Sequence, residues 1–130
     1  MIMDTCFVID LMNKDAKAIE KIEILSKRGE QLFTTSITIF ELISGVFRGN
    51  KLEKEKAKIV EILNGQLILN LDEKSAEKAG QIDGKLIKEG NQIKPLDCMI
   101  SGIVLNKKDK IITRNLKDFS RVPNLEIENY

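Results

Sequence analysis

Five short apolar runs punctuate the chain: residues 1–5 (MIMDT), 31–35 (QLFTT), 67–71 (LILNL), 110–113 (KIIT) and 125–128 (LEIE). They are mostly continuous rather than alternating, the pattern of parallel strands covered on both faces. Parallel neighbours cannot be joined by tight hairpins; each pair needs a crossover, usually a helix. The intervening segments have helical periodicity. Ile19, Ile22 and Leu25 form a stripe in 16–28, and Leu52, Ile59 and Leu63 a second in 52–63, with the KEKAK run between them on the solvated face. Ala79, Ile82 and Leu86 line a third in 74–89, closed by Gly90 as a helix cap. Two further segments are apolar almost all round: SITIFELISGVF, which carries Glu41, and 98–105 (CMISGIVL), the expected central helix. The expectation is an α/β fold, a three-layer α/β/α sandwich with a central parallel β-sheet, forming one domain over 1–130.

The charge balance excludes one simple route to function. With 42% hydrophobic and 32% charged residues and a formal net charge of +1, the chain is globular in composition and has no overall field to attract a polyanion. A nucleic-acid role must rest on a local basic patch. Asp4 and Asp10 interrupt the only segment placed to act as a signal peptide, and no apolar stretch approaches the roughly 18 residues that cross a bilayer. The chain is read as cytoplasmic and not membrane-bound, with Cys6 and Cys98 as free thiols. Two cysteines and no histidine cannot build a zinc site.

In an open parallel sheet, ligands gather beyond the carboxyl ends of the strands, where the strand order reverses. Four acids stand at such places. Asp4 ends the first strand, Glu41 follows the second, Asp97 opens the buried helix after Lys94-Pro95-Leu96, and Asp118 follows the fourth strand. They are 37, 56 and 21 residues apart in sequence, so only tertiary structure can unite them. Grouped carboxylates repel one another and resist ionisation unless a cation holds them. An all-oxygen donor set suits Mg²⁺ or Mn²⁺. Each acid also has a structural reading. Asp4 is a solvated strand end or the N-cap of a helix, Glu41 completes a capping box with Thr38, Asp97 is an N-cap, and Asp118 caps a short turn.

The segments MDTCFVIDL, TTSITIFELISGVFRG, GNQIKPLDCMISGIVL and KIITRNLKDFSRVPNLEIEN follow one another in an order and spacing that resemble PIN domains, in particular the VapC-type toxins of toxin–antitoxin pairs. The run from Thr113 through Asp118-Phe119 to Val122, Pro123 and Leu125 is the most specific part, followed by Asp4-Thr5 with Ile9-Asp10-Leu11. The resemblance covers essentially the whole chain. It implies a Mg²⁺- or Mn²⁺-dependent endoribonuclease leaving 5′-phosphate and 3′-hydroxyl ends, with a homodimer and a VapB-like antitoxin as partners. Asp4, Glu41 and Asp97 would then be the first three acids of a metal-binding quartet. Asp118 would be the fourth, with Asn115 as a neutral helper, because many relatives carry an aspartate where this chain has Asn115. Thr5 and Thr113 would orient the acids. Ser101-Gly102 stands where relatives favour alanines, a difference of packing. Asp10 reads as a salt-bridging acid or as one that supports the metal ligands from behind. Arg48, Arg114 and Lys117 are the expected RNA contacts, and the helices at 16–28 and 52–63, through residues such as Ile24 and Ile62, the expected dimer surfaces.

Two other readings compete. A phosphoacceptor receiver domain shares the architecture and would use Asp72 with Thr113, but it leaves Glu41 and Asp97 idle. A PIN-like RNA-binding module that has lost catalysis is favoured only by Asn115.

Overall fold

Two-residue periodicity in the first strand sets the layers of the molecule, which a computed structural model describes over residues 1–130. In chain order the elements are β1 (Ile2–Met3), α1 (Thr5–Met12), α2 (Ala16–Lys27), β2 (Phe33–Thr35), α3 (Ser36–Arg48), α4 (Leu52–Leu63), β3 (Leu67–Leu69), α5 (Glu73–Lys88), α6 (Pro95–Lys107), β4 (Ile111–Ile112), α7 (Leu116–Phe119) and β5 (Ile127–Glu128). The strands form one sheet in the order β3-β2-β1-β4-β5 with every pairing parallel. Ile2 pairs with Phe33 on one side and Ile111 on the other. Successive strand residues point to opposite faces. Met1, Met3 and Ile112 therefore enter one core with Phe7, Val8, Leu25, Leu42 and Ile59 of α1 to α4, while Ile2 and Ile111 enter a second with Ile100 and Val104 of α6 and Phe119. The α/β/α layering follows.

All five strand segments pair, although in shorter stretches than their apolar runs suggest. Asp4 already turns the chain into α1, so β1 keeps two residues. The expectation that 67–71 is covered on both faces is corrected. β3 is an edge strand, and Leu67 and Ile68 are exposed. Behind the sheet, Ile82 and Leu86 of α5 pack with Cys98 of α6 in a third cluster. Gly102 makes this approach possible: a Cβ there would fall on the Ser75 carbonyl oxygen and 2.9 Å from Ala79 Cβ. Gly90, at φ +73°, turns the chain out of α5. Cys6 and Cys98 are both free thiols. No helix is long and apolar enough to cross a membrane.

Candidate metal centre

The strand order reverses between β1 and β4, which lie side by side although 109 residues separate Ile2 from its register partner Ile111, and both strands end at the same edge of the sheet. Asp4 leaves β1 there and caps α1, its Oδ1 accepting from the Thr5 backbone N–H at 2.7 Å. Its Oδ2 accepts from the Thr113 hydroxyl at 2.7 Å, at the end of β4, and from the Cys6 thiol at 3.0 Å. Asp4 is therefore the N-cap of α1, and at 4% exposed it is a buried strand end and not a solvated one. Thr113 also accepts from the Asn115 backbone N–H at 2.9 Å, which fixes the start of the turn into α7.

Glu41 reaches the same region from α3. The Thr5 hydroxyl donates to its Oε1 at 2.7 Å and stands 3.2 Å from the Thr38 hydroxyl. The N-cap of α3 is Thr35, whose Oγ1 accepts from the Thr38 N–H at 3.0 Å, so the capping-box reading of Thr38 and Glu41 is corrected. Glu41 lies beyond the first turn and has no backbone duty at the helix start.

Asp97 lies in the first turn of α6, whose N-cap is Lys94 with Pro95 as the first helical residue; the N-cap reading of Asp97 is likewise corrected. Pro95 removes an N–H that would have no partner there. Asp97 is only 7% exposed, and its Oδ2 is buried without any hydrogen-bond partner. Burial, then the negative charges of Asp4 and Glu41, raise its carboxyl to about 7; Lys94 opposes the rise and Asp118 adds to it. All three other candidate acids thus act on Asp97 through space. Asp118, half-buried on α7, accepts from the Asn115 side-chain amide at 3.1 Å. Asn115 stands beside this candidate acid and orients its carboxylate.

These donors fit a hard divalent cation. They are all oxygens, one of them is a buried orphan, and the acid that carries it has its carboxyl raised first by burial and then by its neighbours' charge, with no hydrogen bond on that oxygen. No three of the side chains converge into a ready-made ligand cage. Repulsion between unshielded carboxylates keeps such groups apart, and Mg²⁺ commonly uses one or two carboxylates and retains water.

The family model described as PIN domain matches residues 1–125. The chain belongs to the PIN-domain family. Over 127 residues this PIN domain is 28% identical to the tRNA(fMet)-specific endonuclease VapC of Salmonella typhimurium, covering 98% of the chain and 93% of the relative. It is 27% identical to ribonuclease VapC2 of Rickettsia felis, covering 98% and 96%. Among solved structures it resembles the VapBC2 complex of Rickettsia felis bound to promoter DNA, with TM-score 0.90, 26% identity and 99% and 97% coverage. It also resembles DNA-bound VapBC of Salmonella typhimurium, with TM-score 0.85 and 28% identity over 98% of this chain and 96% of that one.

The basic residues are arranged less uniformly than the acids. Arg114 is ion-paired with Asp10 at 2.7 Å, so Asp10 has the salt-bridging role read from the sequence. Lys117 is exposed on α7, and Arg48, exposed at the end of α3, donates its Nε to the Ser44 carbonyl at 3.2 Å. Asp72, the receiver-domain candidate, caps α5 by accepting from the Ser75 N–H at 2.8 Å and adjoins the edge strand, away from the strand-order reversal. That removes the basis of the receiver reading. Three participants escaped the sequence reading. Cys6 and Lys94 adjoin acids in sequence, but nothing in their spacing distinguishes them from packing and surface residues. Tyr130 donates to Asp10 at 2.7 Å from 120 residues away, which no local signal announces.

Proposed function

We propose that the chain is a metal-dependent endoribonuclease, cytoplasmic, and the toxin of a VapBC-type pair. The observation that carries this reading is the buried, unpartnered Asp97 oxygen facing the charges of Asp4, Glu41 and Asp118 in a member of the PIN family. Asp4, Asp97 and Asp118 would hold Mg²⁺ or Mn²⁺, with Glu41 as a further ligand or a group orienting water. When bound, such an ion lowers the pKa of water and neutralises charge developing on a phosphate. The chain's own residues supply the orientation. Thr113 and the Thr5 N–H pin the two oxygens of Asp4, the Thr5 hydroxyl directs Glu41, and Asn115 steadies Asp118. The products would carry 5′-phosphate and 3′-hydroxyl ends. Arg48, Arg114 and Lys117 supply exposed cations for the RNA backbone.

An inhibitory VapB-like antitoxin is the proposed partner. A groove of about 450 Å³ between α1, α3 and α4 is lined by Ile9, Met12, Leu42, Val46 and Ile59 and reaches Glu41, which suits an apolar peptide segment arriving at the site. The alternative of a PIN-like RNA-binding module without catalysis rests on Asn115 alone, whose amide here donates to the Asp118 carboxylate, and binding of RNA without cleavage would favour it. Incubation of the purified protein with RNA and Mn²⁺ is expected to give cleavage that EDTA and Asp97→Asn each abolish. Cleavage persisting in both controls would overturn the mechanism.

A further inference from the structure

Asp10 is an acid at the site's margin that the proposed chemistry does not use. It is 6% exposed on α1, six residues beyond Asp4, which places it about 9 Å further along the helix axis at 1.5 Å per residue. Its Oδ2 is ion-paired with Arg114 Nη1 and accepts from the Tyr130 hydroxyl, both at 2.7 Å. Tyr130 is itself fixed, packing edge-on against Phe7 with ring centroids 4.6 Å apart and its hydroxyl 3.7 Å from Cys6 Sγ. Arg114 joins Thr113, which binds Asp4, to Asn115, which binds Asp118. Its side chain nevertheless remains 57% exposed. One nitrogen of the guanidinium is therefore held by Asp10 while much of the side chain stays open to solvent.

We infer that Asp10 and Tyr130 are positioning residues that hold Arg114 as a fixed clamp for an RNA phosphate adjoining the one that is cut. The inference rests on the ribonuclease reading above. A guanidinium suits the task because its planar fork binds phosphate through paired N–H donors, and anchoring one nitrogen removes much of the side-chain freedom that binding would otherwise quench. The distance along α1 separates Arg114 from Asp4, so the contact falls on a flanking phosphate. Asp10 partly neutralises Arg114, which tunes it for placement more than for long-range attraction. An RNA ligand is favoured over an acidic protein because Arg114 lies in the segment whose neighbours, Thr113 and Asn115, bind two of the acids proposed to cut RNA.

The test measures binding of a mixed-sequence single-stranded 12-nucleotide RNA, by fluorescence anisotropy across a salt series, in an Asp97→Asn background. The double variant Asp10→Asn/Arg114→Gln deletes the pair without leaving a net charge behind. It is expected to reduce the slope of log Kd against log salt by about 0.7, the value of one phosphate contact on a single strand. In the same background Asp10→Asn, Tyr130→Phe and Arg114→Lys each keep that slope, while in otherwise wild-type protein each lowers kcat about five- to tenfold. A thermal melt of each variant separates misfolding from mispositioning. An unchanged slope in the double variant, with RNA still bound and cut by the parent protein, overturns the clamp alone. Failure of the parent protein to bind and cut any RNA overturns the ribonuclease reading with it.

Discussion

Asp97 combines burial, an unpartnered oxygen and three neighbouring negative charges, and its proton records the cost of that combination. With its carboxyl raised to about 7 from an ordinary 3.8, the folded chain holds a proton that the unfolded chain releases between roughly pH 4 and 7. Stability contributed by the protonated form is therefore lost as pH rises through that window. In EDTA, Asp97→Asn is expected to melt several degrees above the parent at pH 8, about 1 kcal/mol after allowance for relaxation, and to converge with it near pH 4. Scanning fluorimetry at the two pH values checks the sign, and a difference of equal size at both would refute it. Mn²⁺ at pH 8 should raise the melting temperature of the parent and leave Asp97→Asn nearly unmoved. Thr113 supports a second expectation at this scale. Thr113→Val strips the donor from Asp4 and the acceptor from the Asn115 N–H, leaving buried polar groups unpaired at a cost of about 1–3 kcal/mol. Urea denaturation should show that loss, and Thr113→Ser should recover most of it together with RNA cleavage.

At the scale of elements, the contact between α5 and α6 depends on a missing side chain. Gly102→Ala would force Cβ onto the Ser75 carbonyl and into Ala79, at a cost of about 1–3 kcal/mol, and would shift the helix that carries Asp97. Equilibrium unfolding should show the destabilisation, and an unchanged midpoint would mean that the two helices separate freely. The helices were the most legible elements: 52–63 matches α4 residue for residue, because an amphipathic stripe bounded by polar turns leaves little choice of register. α1 and α7 were far less legible. α1 is folded into the first strand's apolar run and has no polar face to mark it, and α7 is a single short turn.

For the whole molecule, the proposed homodimer needs an apolar surface. Ile62, one of the residues expected to provide it, packs against the core. The helices expected to supply it expose Ile19 (37%) on α2 and Val60 (64%) on α4, while α3 exposes the two large aromatics, Phe40 at 59% and Phe47 at 65%, beside Ile39 and Ile43. A contiguous apolar face of this kind commonly marks an interaction surface. Phe40→Glu with Phe47→Glu is expected to yield a monomer by light scattering at micromolar concentration while the isolated fold keeps its melting temperature within a few degrees. A dimer that survives both substitutions would place the interface elsewhere.

The sequence by itself determined the layers, the parallel sheet and the candidate acids, because these depend on local periodicity and on which residues follow strands. The strand order brought Asp4 and Thr113 into contact across 109 residues, and the path of α6 buried Asp97 beside them. Only that tertiary arrangement separated Glu41 and Asp97 from their capping alternatives: Thr35 and Lys94 occupy those caps, and the charges of Asp4 and Glu41 act on Asp97. It also decided the pairing of Asp10 with Arg114 and Tyr130, since an ion pair is set by proximity in space, and proximity across a parallel sheet leaves no trace in spacing along the chain.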